Sequence, residues 1–289
     1  MLIKTDSQNY TNIADAIREV TGSTKQYKPE EMESALAGYV PECAVSYDTF
    51  DSDGCVLTAT TYGNVVKGLG GHPNLKTVNI SNTATEIGDY AFWKSGITEI
   101  SLPEGITTIG YEAFYDVPIT NIVLPESITT IKFYAFRGSD LVNITLPDSI
   151  TTIGENAFSN TKIENIVLPK NITIVSKYLF SGCTNLVINS LPENITRIEA
   201  GAFDGCIAIT EFTFHDKINY IDYYAFRNCT GLTTVTFKSV PIKLGIDTMN
   251  VFDGCTNLTT INVPWSEGEV AGAPWGATNA TINYNYTGE

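Results

Sequence analysis

Two histidines and six cysteines are the residues of this 289-residue chain best suited to bind metals or act as nucleophiles. His72 and His215 lie far apart, and neither is flanked by a Ser, Cys or carboxylate in a nucleophile pattern. His215 follows Phe214 where related stretches read Leu-Pro, so it reads as a rim variant rather than a base or a ligand. The cysteines are not paired as CxxC, which disfavours zinc. Instead Cys183, Cys206, Cys229 and Cys255 close the phrases FSGC, FDGC, FRNC and FDGC. Position rather than pairing dictates them, as expected of small buried thiols. Equivalent sites on stacked strands would stand ~4.8 Å apart, which leaves a disulfide open on geometry. GLGG at 68–71 lacks the Lys-Ser or Lys-Thr of a phosphate loop. Asp48, Asp51 and Asp53 surround a DSDG turn without the Glu at position twelve of a calcium loop. The sequence therefore predicts no enzyme, with no catalytic residue, metal or cofactor.

What positions the cysteines is a repeat. Phe recurs at 92, 114, 136, 158, 180, 203, 226 and 252, in steps of 22, then 23, then 26 residues. Leu or Ile holds a second register at 75, 97, 119, 141, 163, 186, 209, 232 and 258. A third runs through Ile87, Ile109, Ile131, Ile153, Val175, Ile198 and Ile221. A fixed period of this length predicts a solenoid whose stacked units bury what no single unit can. Each unit reads as strand, strand, turn: ITNIVLP alternates and closes on proline, SITTI is a second β-branched run, and KFYAFRGS is a tight turn with Phe inside. Each buried Phe is worth on the order of 2 kcal/mol by transfer alone. The step lengthens where the first of the four repeat cysteines enters, since five residues separate Phe180 from Leu186 but four separate Phe158 from Ile163.

These phrases, with Leu-Pro, a β-branched run, Ile-Gly and Ala-Phe often followed by Cys, resemble the BspA-like subclass of bacterial leucine-rich repeats over roughly residues 72–264. The resemblance implies a mainly β leucine-rich-repeat solenoid that serves recognition or adhesion. The Asn ladder of other leucine-rich repeats is missing, so a deep horseshoe is not implied.

The formal net charge is −15, from 17 Lys and Arg against 32 Asp and Glu, which repels phosphate backbones and argues against nucleic acid as a partner. No stretch approaches the ~18 apolar residues of a membrane span, and the first residues carry no apolar core of signal-peptide length.

With chemistry excluded, surface remains. The two positions before Ala-Phe carry Tyr90, Tyr111, Phe133, Tyr134, Tyr178, Tyr223 and Tyr224, which on successive coils would form an aromatic strip. These are the candidate ligand-binding residues, since tyrosine offers large contact area with a polar tip. Packing along the rod is the competing reading of the same residues.

Four segments follow: a helical attachment module at 1–40, a β-hairpin cap at 41–71, the solenoid at 72–264 and a C-terminal cap at 265–289. Helices are signalled by Ile13, Ile17 and Val20 before Gly22, and by Pro29, Met32 and Leu36 before Gly38. Trp265 and Trp275 are placed to seal the last coil, followed by a strand through Ile282, Tyr284 and Tyr286. The phrases IADAIREVTGSTKQYKPEEMESALAG and VPWSEGEVAGAPWGATNATINYNYTG resemble terminal modules of phage and prophage fibre or tail-associated proteins of Gram-positive gut bacteria. That second resemblance implies a virion component, released on lysis, joined to other virion proteins or to itself through residues 1–40 and displaying the repeat to a host surface protein or glycan. The alternative is a bacterial cell-surface adhesin.

Overall fold

The computed structural model describes residues 45–46, 55–59, 65–66, 69–71, 73, 75–241, 243–244 and 250–288. The expected helices of residues 1–40, the aspartates at 48, 51 and 53, and His72 lie outside the described residues. Within them the fold is mainly β, a right-through stack of short parallel strands with no helix.

The coil from Ile119 to Asp140 shows the plan. Asn121–Val123 forms a strand with Ile122 inward and its neighbours exposed, the alternation a pleat imposes. Leu-Pro then closes it, and the Pro125 carbonyl accepts from Ile128 N–H at 3.1 Å to make a turn. Thr130–Ile131 is the second strand. From Tyr134 to Ser139 the chain makes a double turn in which backbone N–H groups alternate their acceptors. Ala135, Arg137 and Ser139 donate within the coil, to Lys132, Tyr134 and Phe136; Tyr134, Phe136 and Gly138 donate to Glu155, Ala157 and Ser159 of the next coil. The irregular side of the rod is thus a hydrogen-bonded ladder as complete as a sheet.

That alternation dictates backbone conformation. Residues two before and two after the Phe have positive φ: Tyr90 and Lys94, Glu112 and Asp116, Tyr134 and Gly138, Asn156 and Asn160, Tyr178 and Gly182, Gly201 and Gly205, Tyr224 and Asn228. Gly and Asn suit the left-handed region, whereas Tyr there costs roughly 1–2 kcal/mol.

Phe92, Phe114, Phe136, Phe158, Phe180, Phe203, Phe226 and Phe252 are fully buried. Their rings follow one another along the axis at centroid separations from 4.9 to 6.0 Å. Toward the C-terminus Phe214 and Phe237 take the place of the Leu before proline and stack at 4.6 Å. Trp265 and Trp275 close this end, with Phe237 5.4 Å and 5.9 Å from their rings. The Trp275 indole N–H donates to Ala271 O at 3.0 Å, and Thr281–Asn283 adds a parallel strand to Thr260–Asn262. At the other end Val45–Ser46 pairs antiparallel with Cys55–Ala59, which pairs parallel with Leu75–Ile80.

The extra residue of the 23-residue coils has a local form. Thr184, Ile207, Thr230 and Thr256 each donate N–H to the carbonyl two residues back, at Gly182, Gly205, Asn228 and Gly254, so the insertion is absorbed as a three-residue turn beside the cysteine.

One expectation is corrected. Not every unit forms both strands: between Asn143–Thr145 and Glu211–Phe214 the first ladder has no strand, although Val187 still donates to Glu164 O and Thr213 to Asn189 O. The second ladder is also interrupted, between Thr152–Ile153 and Ile174–Val175, where the Ser176 hydroxyl bonds Ile153 O at 2.7 Å. The added residue does not cause the second break, because Ile153 to Val175 is still a 22-residue step and Ile174–Val175 pairs in register with Arg197–Ile198 across the insertion. The first ladder is also interrupted earlier, between Glu99–Ser101 and Asn121–Val123.

Candidate functional site

The double-turn ladder carries the side chains singled out by sequence, and it divides them into three groups. Tyr90, Tyr111 and Tyr134 come together in an edge-to-face series, with centroids 5.2 Å apart for the first pair and 5.8 Å for the second. Phe133 and Tyr90 are each 49% exposed, so this group presents apolar area to solvent. Tyr178 stands apart: a Cβ on Gly201 would meet its ring at 2.2 Å, which shows that Tyr178 lies over the glycine of the next coil. Tyr223 and Tyr224 form a separate edge-to-face pair at 5.5 Å. Glu155 and Asn156 interrupt the strip between the first group and Tyr178, and Ala200 and Gly201 interrupt it again.

Sequence reasoning missed the flank of the first group. The position just after the Phe carries Trp93, Tyr115 and Arg137 on the same three coils, and a scan of that register alone would have found them. Trp93 and Tyr115 stack at 6.5 Å with rings 23° apart. Lys94 Nζ lies 4.9 Å from the Trp93 ring, and the Arg137 guanidinium lies 5.8 Å from Tyr115 and 5.4 Å from Tyr134. Two rows of aromatic rings therefore run along coils 88–137, joined by cations. Beside them an open cleft of ≈ 430 Å³ is lined by Gly70, Asp89, Tyr90 and Trp93.

The polar groups around this surface are tied between coils. Asp89 accepts from Tyr111 N–H at 2.8 Å and from Lys132 Nζ at 3.3 Å, and Lys132 also reaches Glu86 at 3.2 Å. Tyr111 is pushed up to about 12 because the Glu112 carboxylate accepts its hydroxyl proton in a hydrogen bond, with burial adding in the same direction. The hydroxyl is thus held protonated across the working pH range.

The remaining candidates for chemistry are disposed otherwise. Cys183, Cys206, Cys229 and Cys255 are free and buried. Their thiols donate to Phe158, Phe180, Phe203 and Phe226 carbonyls of the preceding coil at 2.9–3.1 Å. Burial pushes Cys183 up to about 11 and Cys206 and Cys229 well above the usual thiol range, which removes them as nucleophiles. His215 occupies the turn place of proline, its carbonyl accepting from Ile218 N–H at 3.2 Å as Pro192 accepts from Ile195. No helix among the described residues is long and apolar enough to cross a membrane.

Residues 70–187 and 185–270 match the BspA type leucine rich repeat region, in six copies. No curated protein matches the chain. Among solved structures, a leucine-rich repeat protein from Bacteroides ovatus aligns with a TM-score of 0.55 at 20% identity, covering 85% of this chain and 76% of its own. A leucine-rich repeat protein from Eubacterium ventriosum aligns with a TM-score of 0.46 at 19% identity, covering 72% and 73%. The pneumococcal vaccine antigen PcpA aligns at 0.44 and 16%, covering 69% and 65%. The first of these establishes a shared fold and nothing further.

Proposed function

Since the chain belongs to the BspA type leucine-rich repeat family, we propose that it is a non-enzymatic recognition scaffold, displayed at a bacterial cell surface as an adhesin that contacts a host protein or glycan. The observation that carries this reading is the placement of tyrosine in left-handed backbone. Tyr90 and Tyr134 hold φ of 57° and 58°, at a turn position that Asn156 and Gly201 fill without the same strain in later coils. Residues held there against local preference accumulate where a surface is used. Around them Trp93, Tyr115, Phe133 and Arg137 supply the aromatic and guanidinium groups that dominate binding hot spots. Tyr178, Tyr223 and Tyr224 belong to the proposal as a second, smaller patch.

Adhesion of beads coated with the full chain to cultured epithelial cells and to immobilised mucin tests the reading. Tyr90→Asn combined with Tyr134→Asn, each the residue that the repeat uses at 156, should abolish adhesion while leaving the melting temperature in place. Undiminished adhesion by the double variant would sink the assignment of this face.

In this proposal residues 72–264 are the display rod, 41–71 and 265–289 its caps, and 1–40 the attachment module. A phage-fibre role is the second reading, favoured by phrase similarity at the two ends. Family membership spans residues 70–270 and speaks for surface recognition instead. Mass spectrometry of intact cells shaved with protease, beside purified particles from the same culture, separates the two. Stoichiometric recovery in particles would reverse their order.

A further inference from the structure

The place after Leu-Pro, which lies at the turn between the two strand ladders and away from the aromatic face, carries Glu104, Glu126, Asp148, Lys170, Glu193 and Asp216 on successive coils. Stacking sets Glu193 and Asp216 side by side. The proline that precedes this place in the earlier coils is replaced, in the coil of Asp216, by His215. A ring nitrogen of His215 and one carboxylate oxygen from each acid lie within 4.8 Å of one another. Both acids are exposed, whereas His215 is 8% exposed. Its Nδ1 accepts from Lys217 N–H at a long 3.3 Å, and its Nε2 is buried without a hydrogen-bond partner. The histidine thus carries an unmet polar atom in a turn that proline fills elsewhere.

We propose that Glu193, His215 and Asp216 form a binding site for a divalent transition-metal ion, with zinc as the best fit. One imidazole and two carboxylates match the ligand preferences of zinc, which takes nitrogen at ≈ 2.0–2.1 Å and oxygen at ≈ 2.0–2.2 Å and completes its shell with water. Ligand atoms around such an ion stand roughly 3.3–3.5 Å apart, so the two carboxylates must close inward by rotation, which their exposure permits. A cation already favours the spot: Lys217 Nζ lies 2.8 Å from Glu193 Oε2. The metal takes the place of that ammonium and neutralises both carboxylates at once. Coordination by either ring nitrogen leaves the ring proton on the other and displaces the long contact between Nδ1 and Lys217 N–H. Because the ion would join ligands from two consecutive coils, it clamps the stack where the first strand ladder resumes at Glu211–Phe214.

Equilibrium dialysis of the full chain against zinc chloride, with cobalt(II) absorption as the spectroscopic readout, tests the site. The folded protein should bind one equivalent, and His215→Pro, which restores the residue that the turn uses in other coils, should weaken binding by about 10–100-fold. Asp216→Asn, at an exposed position, should show the same direction of loss and guards against a folding defect in the proline variant. Lys217→Gln should tighten binding, and His72→Gln should leave it unchanged. The cobalt spectrum should lack the thiolate charge-transfer band. The proposal is overturned by an absence of saturable binding, by unaltered affinity in His215→Pro and Asp216→Asn, or by a thiolate band, which would place the metal on cysteine.

Discussion

The coils through residue 161 and those from 176 onward finish the same corner with different atoms. In two coils of the first set a hydroxyl three residues after the Phe turns back on its own coil, Ser139 to Phe136 O and Thr161 to Phe158 O, each at 2.8 Å. In the other two, Val117 holds that place without a hydroxyl and the buried Ser95 hydroxyl has no hydrogen-bond partner. In the second set a cysteine at that place donates across to the Phe carbonyl of the coil before it, and an extra residue makes room through a three-residue turn. The Phe stack runs through both sets, with 5.6 Å between Phe136 and Phe158 and 4.9 Å between Phe203 and Phe226. Between the sets both strand ladders break, and Phe158 and Phe180 stand 6.0 Å apart. The comparison teaches that the spine and the double-turn ladder define the solenoid, while strands and corners adjust. It also separates the surfaces: the first set carries the dense aromatic face, and the thiol set carries Gly201, Tyr178 and the separate Tyr223–Tyr224 pair there.

The largest expected effect tests the shared spine. Phe136→Ala and Phe203→Ala should each cost about 3–5 kcal/mol in urea denaturation, since both remove a fully buried ring. Markedly unequal costs would show that the spine is not common to the two sets.

Next comes the corner chemistry. Cys229→Ser should destabilise the thiol set by about 1–2 kcal/mol, because the shorter hydroxyl cannot reach Phe203 O as well and remains buried. An unchanged denaturation midpoint would remove the cross-coil thiol contact as a distinguishing feature.

Backbone handedness gives a smaller pair of effects with opposite signs. Gly201→Ala should lose about 1 kcal/mol, as alanine resists φ of 61° and its methyl meets the Tyr178 ring. Tyr134→Gly removes left-handed strain of similar size and gives up its contact with Tyr111, so its stability should change by only a few tenths of a kcal/mol. A large loss in Tyr134→Gly would mean that the tyrosines serve packing rather than display.

The smallest effect is a titration. Tyrosinate absorbance should show Tyr111 ionising near 12, and Glu112→Gln should bring it down toward the usual value of 10. The folded value is the raised one, so the stabilisation linked to this hydroxyl is complete below about pH 10 and disappears as pH climbs toward 12. Ionisation at the ordinary value in the unaltered protein would remove the Glu112 contact from the aromatic face.

Much of the fold was legible because a period is a global statement made by local residues. Phe at fixed steps, Ile109 and Ile131 in one register and Ile119 and Leu141 in another required stacked coils whatever their exact path. Even the insertion at Cys183 could be located by counting. The candidate face was legible only in part. Tyr90, Tyr111 and Tyr134 were visible as a strip, but Trp93, Tyr115 and Arg137 share their surface from the far side of the buried Phe. Their 22-residue spacing shows them as a second row, but that the two rows share one surface depends on two reversals of backbone handedness inside one turn.

By itself the sequence determined a solenoid of about 22-residue coils, its Phe spine, the buried place of four cysteines and an acidic surface, because each follows from composition or periodicity. Tertiary structure decided the rest: that each thiol bonds the coil before its own, that Tyr178 covers Gly201 rather than joining the strip, that the ladders break around residues 153–175, and that His215 meets Glu193. These all concern atoms one coil apart. Their meeting is fixed by how neighbouring coils are offset along and around the axis, a quantity that hydrogen-bond geometry sets between coils and that no single coil encodes.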